Sequence, residues 1–293
     1  MFFIIATIVL TSFLTLFFKV LARLGIPSFQ TIVFNYWTSV ITGLIVNGDF
    51  PITSATMNET WFPWALGMGA AFIFLFNMIA YTTQKFGVAV ASVANKLSMV
   101  IPFIFSIYLY NEKATSIKMV GVAIALLAVV LTCLPAPGAQ PGIPAKRINL
   151  NYVAPAVLFA GSGLLDTMIK YVEQGFINES NKNAYLISAF CVATIIGTML
   201  MLILLLNGKE KFDFRSIPGG ICLGIANYLS IWCLIRVLKQ YADHSSKIIP
   251  INNMGIVLFS TVIGWILLKE RLSPINWLGI LLSLVAIALI AFG

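Results

Sequence analysis

Ten separate runs of about 20 apolar residues, the length a helix needs to cross the hydrocarbon of a bilayer, take up most of this 293-residue chain. They are Phe2–Leu24, Phe29–Val46, Trp61–Thr83, Val88–Tyr110, Ile117–Leu134, Tyr152–Val172, Ala184–Leu206, Ile217–Val237, Ser245–Leu268 and Trp277–Phe292. Lipid offers no hydrogen bonds, so each run must pair its own backbone, and a helix does that within one segment. The chain is therefore predicted to be an all-α integral membrane protein of ten transmembrane helices, with no room for a sizeable soluble domain. Composition agrees, since 60% of residues are hydrophobic and 10% charged, against roughly 45–50% and 25% in soluble domains. The first run is too long for a signal-peptide core, lacks a basic leader and a small-residue cleavage site, and is read as a retained span.

Few charges remain to be explained. A net charge of +8 spread over so few ionisable groups cannot form a continuous basic stripe, which argues against nucleic acid as a partner. The excess is read instead as membrane orientation and an anion site. Cys133, Cys191, Cys222 and Cys233 stand singly inside apolar runs, with neither the spacing nor the histidines of a metal site. No phosphate-cradling glycine loop, H-E-x-x-H or G-x-S-x-G occurs, so neither an ATP-driven pump nor an enzyme is expected, and no cofactor.

The connections between runs are short and polar, as in Asn47-Gly48-Asp49, which forces antiparallel neighbours. One is longer: Pro135 to Arg147 is rich in helix breakers and lies near the middle of the chain. It divides the sequence into residues 1–134, a linker over 135–150, and residues 151–293. The two halves resemble each other. Asn111-Glu112-Lys113 followed by Gly121 in the first is matched by Lys269-Glu270-Arg271 followed by Gly279 in the second, and Lys19 closes the first span as Lys170 closes the sixth. With five spans per half, the copies insert with opposite topology, which predicts two inverted five-helix repeats and alternating access. Basic residues favour the loops away from the termini, which by the positive-inside rule places the termini outside.

The stretch Ala80-Tyr81-Thr82-Thr83-Gln84-Lys85-Phe86-Gly87-Val88-Ala89, then Pro102, Asn111-Glu112-Lys113 and Gly121, with its second copy from Ile235-Arg236 through Glu270-Arg271 to Gly279, resembles the drug/metabolite transporter (DMT) superfamily in its ten-helix EamA-type branch. The resemblance covers essentially the whole chain. It implies two five-helix inverted repeats, a cavity lined mainly by the third, fourth, eighth and ninth helices, and metabolite transport without ATP. It also implies cytoplasmic termini, against the loop charges. Two departures stand out: the loop after the second span is not basic, and Asn35 occupies a position where many relatives carry arginine.

A charge in mid-span costs about 2.5–3.5 kcal/mol, so each needs a reason. Lys96 lies about eight residues into the fourth span, roughly 12 Å deep at 1.5 Å per residue, with Asn95 beside it. It faces a polar cavity, or it pairs with a carboxylate or helix-end carbonyls. Lys247 enters the ninth span ahead of Pro250, Asn252 and Asn253, where freed carbonyls and two carboxamides can hold a ligand or simply stabilise a kink. Asn77 in the third span and Asn227 and Tyr228 in the eighth complete the candidate substrate-binding set. Asp166 and Lys170, four residues apart on one helical face, are candidates for a charge relay with Lys19. Lys19 alternatively snorkels. Ile217 to Gly224 holds a G-x-x-x-G spacing that permits close helix packing.

The expected function is a secondary active transporter of a small polar metabolite, amino-acid-like or another organic anion, in the direction of export. The expected partners are that solute, the lipid bilayer and protons as coupling ion, in a monomer or homodimer of a bacterial inner membrane. The alternatives are a nucleotide-sugar or phosphate-ester exchanger of the same fold, to which Asn95-Lys96 points, and a membrane scaffold or lipid-handling protein that moves no solute.

Overall fold

The computed structural model describes residues 2–48, 51–110, 115–134, 153–178, 181–241 and 245–292. Eleven helices run in order: α1 (Phe2–Leu24), α2 (Ser28–Asn47), α3 (Phe62–Phe86), α4 (Val88–Leu97), α5 (Val100–Tyr110), α6 (Ser116–Cys133), α7 (Val153–Gly175), α8 (Lys182–Leu206), α9 (Ser216–Gln240), α10 (Ser245–Ile266) and α11 (Pro274–Phe292). Ten spans among the described residues are long and apolar enough to cross a membrane, with α4 and α5 together making the fourth. The chain is an integral, multi-pass, all-α membrane protein. Its outer faces carry large apolar side chains that water would not tolerate in such number, among them Ile195, Met199, Leu202 and Leu206 on α8. The linker over 135–150 and the Asn111-Glu112-Lys113 copy of the repeated motif lie outside the described residues, apart from the backbone up to Tyr110.

The fourth span is the one that departs from a single continuous helix. Pro102 has no N–H to give the Ser98 carbonyl, its partner one turn back. That carbonyl accepts from Ile101 at 2.9 Å instead, and Ser98 and Met99 form a turn between α4 and α5. The Ser98 hydroxyl donates to the Asn95 carbonyl, so one of the helix-end acceptors is satisfied locally. In α10 the proline is tolerated inside a continuous helix.

Packing groups the chain into two compact units that differ from the division at the linker. The first comprises Met1–Lys19, Met78–Gly163 and Ser230–Gly293; the second comprises Val20–Asn77 and Leu164–Leu229. In the first, Ala89, Val93, Leu97 and Val100 meet Val122, Ala125 and Ala128 of α6, Val257 of α10, and Ile280, Ala286, Ile287 and Ile290 of α11. The two glycines of the repeated motif lie reciprocally here: Gly121 of α6 abuts Ile290 of α11, and Gly279 of α11 abuts Thr132 of α6. Asn276 fastens the same pair. Its Nδ2 donates to the carbonyls of Leu131, Thr132 and Leu134, the unpaired end of α6, while its Oδ1 accepts from the Ser273 N–H at the start of α11. Ser260 of α10 donates to Ser92 of α4 at 2.8 Å.

In the second unit, Trp61, Ala65 and Met68 pack with Val172 of α7 and Ala184, Tyr185 and Ala189 of α8. Gly220 and Gly224 lie where the G-x-x-x-G spacing puts them, against α2. A methyl on Gly224 would come within 2.6 Å of the Asn35 carbonyl oxygen, so the two backbones touch there.

Candidate functional site

The polar groups of the first unit gather at two joints of the chain. At one, α3 ends and α4 begins around Gly87. A helix leaves unpaired carbonyls and a partial negative charge at its C-terminus, and unpaired N–H groups with a partial positive charge at its N-terminus. Both ends are met here by the opposite charge. Lys19 Nζ donates to the carbonyls of Thr83 and Gln84 at the end of α3, each at 3.3 Å. Glu270 Oε1 accepts from the Val88 N–H at the start of α4 at 2.8 Å. The ammonium and carboxylate are themselves 3.8 Å apart, with the Glu270 side chain 8% exposed and that of Lys19 23%.

Gly87 is required at this joint on two counts. Its φ of 105° is unfavourable for any residue with a side chain, and a Cβ would stand 3.1 Å from both carboxylate oxygens. Lys19 therefore turns inward to the end of α3 and to Glu270, where the sequence allowed it to snorkel. Glu270, read from the sequence only as part of a repeated motif, is its partner across 251 positions. No local pattern could reveal that pairing.

The second joint is the break between α4 and α5. Lys96 lies in the last turn of α4, where the helix-end carbonyls lower the cost of an ammonium. Asn95 and Lys96 are both half-buried, and Lys96 interacts with its surroundings. Gly163 of α7 lets that helix lie against the break: a Cβ there would come within 2.8 Å of the Ser98 carbonyl oxygen. Asn253 of α10 points its Nδ2 at Met99 Sδ, 3.7 Å away, and Asn252 is buried with its Oδ1 unpaired. The structure thus brings Asn253 to the segment that carries Asn95 and Lys96. The side chain of Lys247 lies outside the described residues. Near α9's end, Arg236 lies over the Trp232 ring at 4.6 Å.

The remaining candidates belong to the second unit. Asn77 gives its amide to the Ile73 carbonyl of its own helix at 2.7 Å. Asn227 and Tyr228 are buried on α9, and the Tyr228 ring lies against Gly43 of α2, where a Cβ would be 2.9 Å from it. Asp166 is exposed and Lys170 half-buried on α7, and both have interaction partners. Sequence reasoning noted Asn35 only as a departure from the family pattern and passed over Tyr36; both are fully buried, with the Asn35 carboxamide and the Tyr36 hydroxyl unpaired. The signal was available in Asn35, a carboxamide in the middle of an apolar span. Among the described residues no three metal-ligating side chains come together.

Comparison with known proteins places this geometry. The EamA-like transporter family matches residues 1–134 and 176–292. An uncharacterised protein of Haemophilus influenzae is 25% identical over 274 residues, spanning 92% of this chain and 90% of the relative. A crystal structure with 16% sequence identity superposes with a TM-score of 0.60 over 98% of this chain and 94% of the other, which is a likeness of fold.

Proposed function

Because the chain belongs to the EamA-like transporter family, we propose that it is a secondary carrier that exports a small polar metabolite, amino-acid-like or another organic anion, by alternating access. The observation that carries this reading is the interrupted fourth span. Discontinuous helices in carriers expose backbone groups near the bilayer midplane for a ligand to use. Here the interruption follows directly on Asn95 and Lys96 and is met by Asn253. An ammonium supported by helix-end carbonyls can exchange that partial charge for the full charge of a carboxylate or phosphate on the solute. Asn95, Asn252 and Asn253 then orient the solute by hydrogen bonds, with Lys247 as a second cation on the same helix as the two carboxamides.

Protons serve as the coupling ion in this reading, with Asp166 and Lys170 of α7 as the groups that exchange them. Lys19, held by Glu270 and the end of α3, fixes the joint from which α4 starts. The two sequence halves act as the moving parts, and the protein resides in a bacterial inner membrane.

Purified protein in liposomes loaded with a panel of amino acids and organic acids tests the proposal. Wild type should release at least one of them in a saturable, pH-gradient-dependent manner. Lys96→Gln should cut that rate by more than tenfold with an unchanged unfolding temperature, the loss of one charge-assisted contact being worth about 1.5–3 kcal/mol. Equal flux in wild type and variant removes Lys96 from the site. Saturable flux that requires solute on both sides would favour the phosphate-ester or nucleotide-sugar exchanger, and no saturable flux of any kind would favour the scaffold.

A further inference from the structure

Helix α2 belongs to the second unit, and of six of its polar or phenolic side chains, Gln30, Thr31, Asn35, Tyr36, Thr38 and Ser39, four are satisfied. Gln30 binds Glu210, the Lys211 carbonyl and the Asp213 N–H. Thr31 and Thr38 return their hydroxyls to carbonyls one turn back, and Ser39 reaches the Gly224 carbonyl. Asn35 and Tyr36 are the exceptions. Both are fully buried, and the carboxamide nitrogen, the carboxamide oxygen and the phenol oxygen all lack a hydrogen-bond partner. Ser188 of α8, 2% exposed, has an unpaired hydroxyl as well.

Their place in the packing is well defined. The Asn35 carbonyl touches Gly224 of α9. The Tyr36 ring lies 5.5 Å from Phe76 and 6.5 Å from Phe72 on α3, and 6.1 Å from Phe190 on α8. Ile187 of α8 meets Gly43 of α2 and Phe190 meets Tyr36, so that face of α8 is turned to α2, and helical spacing turns Ser188 to another face. Four helices of one unit therefore converge around Asn35 and Tyr36. A buried polar group without a partner is among the more expensive features a fold can hold, and more so away from water. On a helix whose other buried polar side chains are satisfied, these two stand out.

We infer that Asn35 and Tyr36 form a binding site for an uncharged hydrogen-bonding group, such as a primary amide, carried on a planar apolar body. A carboxamide offers one donor and one acceptor in a plane, which matches a second amide in a paired, two-bond arrangement. The phenol hydroxyl adds a rotatable donor, and Phe72, Phe76 and Phe190 supply apolar wall. Among the described residues, no Asp, Glu, Lys or Arg is buried in this unit, so the site selects against a charged group, in contrast to the surroundings of Lys96. The inference goes beyond the carrier reading and stands on the second unit alone.

Benzamide is the probe, and the readout is the unfolding temperature of detergent-purified full-length protein. Binding to the folded state alone raises that temperature. Wild type should shift upward in millimolar benzamide. Asn35→Leu, which removes two unpaired atoms at nearly constant volume, should itself unfold about 2–4 °C higher than wild type and lose the benzamide shift. Tyr36→Phe keeps every ring contact and should reduce the shift, which serves if the leucine variant does not fold. No benzamide shift in wild type, an equal shift in wild type and Tyr36→Phe, or a lower unfolding temperature for either variant without probe would each overturn the inference. The last result would mean that the side chain has a structural partner. None of these measurements depends on flux, so a failed liposome assay would sink the carrier reading and leave this site standing.

Discussion

Two buried polar sites, Glu270 in the first packing unit and Asn35–Tyr36 in the second, are held in different ways. The first ties a buried charge into its frame: Glu270 and Lys19 face each other and each also holds a helix end, although the second Glu270 oxygen, like Asn252 Oδ1, is unpaired. The second buries neutral polar groups and leaves several of them open, at Asn35, Tyr36 and Ser188. The difference separates two uses of a polar residue in an apolar interior. A partnered group is architecture, because removing it strands the partner. An open group weakens the fold, and its retention calls for a ligand. Apolar replacement should accordingly lower stability at Glu270 and raise it at Asn35.

The largest effect expected is at Glu270. Replacement by alanine strands a partly buried ammonium and uncaps α4, and should cost about 3 kcal/mol, at the lower end for a broken buried pair because Lys19 keeps its two carbonyl contacts. Glu270→Gln keeps an oxygen for the Val88 N–H and should cost about 1 kcal/mol, the scale of one charge at a helix end. Unfolding of both variants in detergent measures the gap, and equal losses would show that the charge does nothing. Gly163→Ala should follow, at about 2 kcal/mol for overpacking against backbone, because Ile101 and the Ser98 carbonyl leave no space for a methyl. Against these, Asn35→Leu should gain about 1 kcal/mol, the lower range for an unsatisfied buried group. A loss there as large as at Glu270 would erase the distinction between the two sites.

The parts of this picture that the sequence disclosed are those with a local cause. Span length and apolarity revealed ten crossings, and the spacing of Gly220 and Gly224 revealed a close helix contact. Glu270 and Gly279 were recognisable as a repeated pattern. Pro102 was visible too, yet its effect was not, because proline can sit inside a continuous helix, as Pro250 does, or interrupt one, as here. Which happens depends on whether the freed carbonyl finds another donor; Ser98 finds Ile101. The partnership of Lys19 with Glu270 and the isolation of Asn35 were illegible, since both depend on which distant helices become neighbours. Asn77 shows the converse, as its amide has a local partner in Ile73 that any helix would offer.

The smallest effect concerns charge at the edge of the second unit, in the loop before α9. Asp213 there accepts from Arg215 through Nε, Nη2 and the backbone N–H, and its N–H in turn goes to Gln30. The side-chain bond from Arg215 is the chief reason that the Asp213 carboxyl titrates below its ordinary value, followed by the backbone bond. A carboxyl whose folded pKa is depressed contributes stability above its unfolded value and loses it as pH falls through the folded one. The loss should therefore begin below about pH 4, and wild type should lose unfolding temperature there faster than Asp213→Asn. The difference should be small, because water and salt screen an ion pair at the surface. It should also vanish in Gln30→Leu if that carboxamide is what holds the loop in place, which would tie this outer charge to the satisfied end of α2 and leave Asn35 as the open one.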